Sequence, residues 1–270
     1  MLKHDNKFFS KYFEISGSKS ISNRLLILKY LYKNINIENL SDSDDTLVLK
    51  SCLEKNLTKI DISHAGTAMR FLTAYFSIKE KQEFEITGSE RMKKRPIKIL
   101  VDSLRSLGAR IYYLEKKGYP PLKIVGKKID GGEIVLDSTI SSQYISALIL
   151  IASVLKKGLK IYLKGTLISR PYVTMTLSIL NKLGIKNTFR NEIISIKSFQ
   201  KIKKTNFKVE SDWSSLSYYY CIIAFSKNSK INVGNFYEKS IQGDKKLVNI
   251  YSKFGVETKF LKNEGRIILS

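Results

Sequence analysis

The sequence predicts an α/β protein assembled from βαβαββ units of about seventy residues. Three observations carry that prediction. Three amphipathic helical stretches each stop at a glycine, Gly108, Gly184 and Gly255, so the stops fall 76 and 71 residues apart. Upstream of each, a small polar start opens another apolar helix, at Gly66, Ser142 and Ser214, with spacings of 76 and 72. After each glycine comes a β-like stretch, over 109–114, 185–196 and 256–269.

Taken along the chain, the first element is a helix entered through Gly17-Ser18-Lys19-Ser20-Ile21-Ser22-Asn23-Arg24, with Ile21, Leu25 and Leu28 on one face. Its free backbone N–H groups and positive dipole end favour an anion. Lys19 and Arg24 add positive charge where the dipole already disfavours it. A phosphate or carboxylate between them resolves that conflict; a Ser-capped surface helix with solvated cations is the other reading.

The next helix, 68–76, follows His64-Ala65-Gly66-Thr67, where a glycine lets backbone approach a ligand closely. Ser89-Glu90-Arg91-Met92-Lys93-Lys94-Arg95-Pro96 then sets four cations at or before a helix start. Arg91, forked and placed before the turn, is the one expected on an anion; Lys93 and Lys94 read as solvated. The helix after Pro96 carries Ile97, Leu100, Val101, Leu104 and Leu107 on one face. Residues 118–121 and 130–132 read as turns.

Ser141-Ser142-Gln143 opens the helix over 144–154 with two hydroxyls and an amide, suited to a phosphate and ring hydroxyls or to ordinary capping. Ser169-Arg170-Pro171-Tyr172 repeats that logic before Val173, Leu177, Leu180 and Leu183. The basic, unpatterned run 201–208 marks a boundary. The third unit follows, with helices over 216–225 and after Gly243-Asp244, the latter with Leu247, Ile250, Tyr251 and Phe254 apolar.

Composition narrows the function classes. A net charge of +23 invites nucleic acid, but 38 Lys against 9 Arg are scattered through nearly every segment. Nucleic-acid surfaces concentrate Arg with aromatics, so acidic small molecules are the more economical target of this field. Cys52 and Cys221 are solitary and read as buried small hydrophobes; His4 and His64 are too far apart for a metal site. No apolar run reaches the ~18 residues of a membrane span. Residues 1–13 show no secretory h-region, which predicts a reduced, cytoplasmic protein without metal or cofactor.

Seven motifs occur in one order: 17–24, Asp42-Ser43-Asp44-Asp45-Thr46, 64–70, 91–96, 141–143, 169–172 and Gln242-Gly243-Asp244. In that order they resemble the enolpyruvyl transferase family, from about Phe13 onward, with GSKSISNR and AGTAMR the most specific. The UDP-sugar branch of the family carries Lys-Asn where Lys19-Ser20 stands, and a reactive cysteine in the loop matching 89–95. The resemblance is therefore to the shikimate branch. It implies transfer of the enolpyruvyl group from phosphoenolpyruvate to the 5-hydroxyl of shikimate-3-phosphate, without metal. Lys19 would contact both substrates. Ser20, Arg24, Ser141, Ser142, Gln143 and Ser169 would hold shikimate-3-phosphate; Gly66, Arg91 and Gln143 would meet phosphoenolpyruvate.

The resemblance also implies two lobes of three units each. Residues 17–208 would form one complete lobe, and 1–16 with 209–270 a strand and a single unit of the other. The family's acid/base carboxylates would then fall after Ser270. Alternatives to a working transferase are a non-catalytic binding half or remnant, and one chain of an enzyme completed by a second polypeptide. Ser16 replaces a usual proline. His64 replaces a usual asparagine and could crowd the phosphoenolpyruvate site.

Overall fold

A computed structural model describes residues 12–55, 57–137, 141–226, 229–261 and 265–270. The expectations for residues 1–11 lie outside that set. Its elements run β1 (Tyr12–Glu14), α1 (Lys19–Tyr32), β2 (Ile35–Glu38), α2 (Asp44–Glu54), β3 (Lys59–Asp61), α3 (Gly66–Ser77), β4 (Glu83–Thr87), α4 (Glu90–Lys93) and α5 (Lys98–Ser106). Then come β5 (Arg110–Tyr113), β6 (Leu122–Val125), β7 (Gly132–Asp137), α6 (Ser142–Ala152), β8 (Leu159–Lys164), α7 (Arg170–Lys182), β9 (Asn187–Arg190) and β10 (Ile193–Ile196). The last are β11 (Thr205–Lys208), α8 (Trp213–Phe225), β12 (Ile231–Gly234), α9 (Leu247–Tyr251), β13 (Thr258–Leu261) and β14 (Arg266–Leu269).

The predicted repeat is visible as three four-stranded sheets of one design: β3-β4-β6-β5, β7-β8-β10-β9 and β1-β12-β14-β13. In each, the first two strands are parallel and the other pairings are antiparallel; β3 and β4 are joined through α3 and β7 and β8 through α6, whereas β1 reaches β12 only from the far side of the other unit in sequence. A parallel pair needs such a crossover, whereas an antiparallel one closes through a tight turn. Between β9 and β10 that turn is Asn191-Glu192, at φ 48° and 56°, the left-handed pair that suits a two-residue hairpin. The helix-stop glycines are all left-handed, Gly108 at φ 103°, Gly184 and Gly255 at 83°.

One expectation is refined and one corrected. The stretch after Gly243-Asp244 is helical without a break up to the expected stop at Gly255, but only its middle is α-helical. It is a 3₁₀ turn (Gly243–Lys246), the five-residue α9 and a second 3₁₀ turn (Ser252–Phe254), with no fully buried residue. Short helices of this kind hold only through tertiary packing, and theirs is partial. Cys221 is exposed, unlike the buried Cys52, because it lies on an uncovered face of α8.

The chain divides into two compact units. One comprises Lys19–Ile37 and Asp42–Phe207. Its centre is helical: 11 of the 12 residues of α3 and 10 of the 11 of α6 are buried, each packing on the other and on α1. A two-stranded sheet of β2 and β11 lies where the chain leaves this unit. Its strands run the same way, with Thr205 N–H on Asn34 O and Val209 N–H on Glu38 O.

The other unit comprises Met1–Ser18, Glu38–Ser41 and Lys208–Ser270. Strand β1, from the start of the chain, supplies the first strand of its sheet. Trp213, Leu216, Tyr220 and Ile223 of α8 pack on Val233, Phe236, Val256, Ile267 and Leu269. Here Gly17 fits against the Asn39 carbonyl, so tightly that a Cβ would strike it. Among the described residues no helix is long and apolar enough to cross a membrane.

Candidate functional site

Four helices of the Lys19–Phe207 unit present their N-termini at one end, and side chains tie those ends together. Arg24, in the second turn of α1, is the hub. The residue is 3% exposed. It donates from Nε to Thr176 Oγ1 of α7 (2.7 Å), from Nη1 to Ser20 O (2.7 Å), and from Nη2 to Ser146 Oγ of α6 (3.1 Å) and Tyr172 O (3.3 Å). It also lies 5.5 Å from the ring centre of Phe71 on α3. Burial lowers its pKa to about 10. Four of its five N–H directions are thus engaged by protein, leaving one on Nη1.

Around this hub the predicted residues fall into place by helix. Lys19 is the first residue of α1 and exposed; Ser20 is half-buried and offers its carbonyl to Arg24. Ser141 caps α6 by accepting from Gln143 N–H (3.3 Å), while Ser142 is buried as the first helical residue. Gln143 reaches across to α3, Nε2 donating to Thr67 Oγ1 at 3.4 Å. Ser169 occupies the cap position of α7 without its hydroxyl capping the helix, and its carbonyl accepts from Tyr172 N–H.

The N-terminus of α3 carries a second concentration of charge. Gly66 opens that helix, and the guanidinium of Arg95 lies where a Cβ at 66 would stand. Arg70, one turn on and 3% exposed, donates to Gly66 O (3.1 Å), Met92 Sδ (3.4 Å) and Pro96 O (3.1 Å). Its pKa is pushed down by burial first and by the charge of Arg95 as well. Two like-charged guanidiniums at the positive end of a helix are a costly arrangement that an anion relieves. His64, just ahead, is exposed, its Nδ1 3.1 Å from Ser63 Oγ.

Sequence reasoning placed an anion on Arg91. That residue lies exposed on the single turn of α4, and it is Arg95 that reaches Gly66. Lys93 forms ion pairs with Glu90 and Glu115, each at 3.3 Å. The overlooked Arg95 had a signal: it directly precedes Pro96, whose carbonyl also anchors Arg70 and Tyr144. Thr67, Ser146 and Thr176 had none, since hydroxyls inside apolar helices show nothing until their partners are known. Among the described residues no three His, Cys, Asp or Glu side chains gather as metal ligands.

The sequence matches the family described as EPSP synthase (3-phosphoshikimate 1-carboxyvinyltransferase) over residues 48–268. It is 43% identical over 255 residues to a 3-phosphoshikimate 1-carboxyvinyltransferase of Bacteroides fragilis, covering 94% of this chain and 62% of that relative. One of Buchnera aphidicola is 38% identical, with 92% of this chain and 63% of the relative covered. Among solved structures, an EPSP synthase of Acinetobacter baumannii superposes with a TM-score of 0.80 at 21% identity, over 98% of this chain and 65% of the other. The chain therefore spans under two thirds of the length of the relatives it matches.

Proposed function

The chain belongs to the EPSP synthase family, and from that premise we propose that it binds shikimate-3-phosphate and phosphoenolpyruvate in the cytoplasm and serves transfer of the enolpyruvyl group to the 5-hydroxyl, releasing phosphate. The observation that supports this most is the gathering of four helix N-termini around Arg24. Both substrates are multiply charged anions, and helix starts with forked cations recognise such groups.

In this reading Lys19 is the cation shared by both substrates. Ser20, Ser141, Ser142, Gln143 and Ser169 hold shikimate-3-phosphate. Arg24 acts mainly by fixing the Ser20 carbonyl and the starts of α6 and α7, with one N–H left for the ligand. Phosphoenolpyruvate lies by Gly66 and Gln143. Arg95, against Gly66, takes the direct contact that sequence reasoning gave to Arg91, which adds charge from α4. Placing the two anions side by side lets one cation screen both and converts a bimolecular encounter into a local one.

The test is phosphate release from the two substrates together, each omitted in turn, with calorimetric binding of shikimate-3-phosphate alongside. Release that requires both substrates is expected, as is tenfold or weaker shikimate-3-phosphate binding in Lys19→Ala. Unchanged binding in both Lys19→Ala and Arg24→Ala sinks the site. For phosphoenolpyruvate, Arg95→Ala is expected to weaken binding more than Arg91→Ala; the reverse order returns the contact to Arg91.

One observation favours a protein partner as well. Tyr218, Ile222 and Phe225 of α8 are 73%, 58% and 88% exposed, whereas α3 and α6 at the same place in the repeat cover each other. The proposed occupant is a second polypeptide carrying further units of this repeat. The part of the B. fragilis relative that this chain does not span is the probe. A one-to-one complex by light scattering, lost in Phe225→Lys, supports that partner; no complex removes it.

A further inference from the structure

The far end of the same helices holds a cavity of about 600 Å³ with no part in the substrate reading. It lies where α1, α3 and α6 finish, and α1 is 14 residues long, so about 20 Å separates it from the Lys19 end. Its apolar side is Tyr32, Leu155 and Phe199. Tyr32 donates to Phe199 O at 3.1 Å, and the two rings meet edge to face with centroids 6.5 Å apart. Lys79, Lys128 and Lys156 also line the cavity, against one acid, Glu80.

Lysines at helix C-termini are ordinary, because each end carries roughly half a negative charge. Lys79 is not ordinary. It is half-buried, its ammonium sits 4.2 Å from the ring centre of Tyr75, and no carboxylate among the described residues pairs with it. Burial, and then the charge of Lys33, push its pKa down. Lys93 and Lys123, hydrogen-bonded to acids, are pushed up instead. A partly desolvated ammonium beside the Tyr75 ring, in a cavity of ligand size, lacks a counter-ion with an apolar body.

We propose that this cavity binds a small aromatic carboxylate, its carboxylate on Lys79 with Lys128 and Lys156 at the rim, and its ring against Tyr32 and Phe199. Inorganic phosphate meets the charges but leaves the apolar side wet, and an uncharged ring leaves Lys79 unpaired. The site is independent of the substrate site, and binding there requires no turnover.

The experiment is calorimetric titration of the full chain with 1-naphthoate, with 1-naphthylmethanol and inorganic phosphate as controls. One saturable site for 1-naphthoate is expected, weakened at least tenfold in Lys79→Met and in Val154→Trp, which fills the cavity. Lys79→Arg, which keeps the charge, retains binding. Lys19→Ala and Phe225→Ser leave it unchanged, because neither the substrate site nor the bare face of α8 is involved. Equal binding of 1-naphthylmethanol, undiminished binding in Lys79→Met at native melting temperature, or loss in Lys19→Ala each overturns the proposal.

Discussion

Helices α3 and α6 on one side and α8 on the other occupy the same place in their repeats and are apolar on nearly every turn, yet they end differently. The first two are buried almost all round, whereas 4 of the 13 residues of α8 are buried. The inner side of α8, with Trp213, Leu216, Tyr220 and Ile223, is packed as tightly as theirs; the difference is on the outer side. A helix that is apolar on every side is built for neighbours on every side. Covering Tyr218, Ile222 and Phe225 would gain about 1.5–3 kcal/mol apiece, enough to make a partner for that face worth seeking.

The largest effect that tests this contrast is truncation of matching aromatics. Phe71 of α3 is 1% exposed, and Phe71→Ala is expected to cost about 3–5 kcal/mol in urea unfolding. Phe225→Ala, at 88% exposure, is expected within about 0.5 kcal/mol of the parent, with weaker complex formation with the proposed partner by light scattering. Equal costs would mean that the face is already covered in solution, and the contrast fails.

Next in size is Arg24, whose four hydrogen bonds knit α1, α6 and α7. Arg24→Met leaves the Ser20 and Tyr172 carbonyls without their donor in a dry site, a loss of about 2–4 kcal/mol. Among the described residues no buried charged side chain holds α8, whose ties are single hydrogen bonds such as Tyr220 with Thr258, so no single polar substitution on that helix is expected to match it. A loss under about 1 kcal/mol would show that water replaces the guanidinium, and that the hub is open to solvent.

The same contrast explains what the sequence revealed. Periodicity and terminal glycines located α5 and α7, and a small polar start located α8, because burial selects apolar spacing wherever a helix has a core to face. The stretch 243–254 copied that spacing and is helical throughout, yet only its middle is α-helical, since two of the four apolar side chains that set the spacing, Ile250 and Phe254, are exposed and find little to pack on. Spacing reports intent, and packing decides. Cys221 was misplaced for a related reason: an apolar neighbourhood in sequence implies burial only if something covers it. At the proposed site, local signals singled out Lys19, Gly66 and Ser141, and each does stand at the start of its own helix. Arg95 was missed because its importance lies in a contact 29 residues away in sequence, with Gly66.

Caps give a smaller, cleaner test. Ser141 caps α6 and Asp212 caps α8, accepting from Ser215 N–H at 3.0 Å. Each substitution to Ala is expected to cost about 1 kcal/mol. Ser141→Ala should also weaken shikimate-3-phosphate binding severalfold, whereas Asp212→Ala should leave it alone. Loss of binding in Asp212→Ala would extend the site beyond the four helix starts proposed here.

The smallest effect asks whether the bare outer side of α8 loosens its inner side. Tyr220 in that inner side and Tyr32 at the end of α1 are both raised to about 12 by burial, Tyr220 against Thr258 and Tyr32 against Phe199. An unfolded tyrosine ionises near 10, so both favour the folded chain fully below pH 10. That contribution is lost as pH rises from 10 through 12. Absorbance at about 295 nm, differenced against Tyr32→Phe and Tyr220→Phe, isolates each ring. Both are expected to titrate near 12, because the sheet side of α8 is closed by Val233, Phe236 and Ile267 whatever happens outside. If Tyr220 instead ionises near 10 while Tyr32 holds, the helix opens locally, and its exposed face is a matter of stability as well as of partnership.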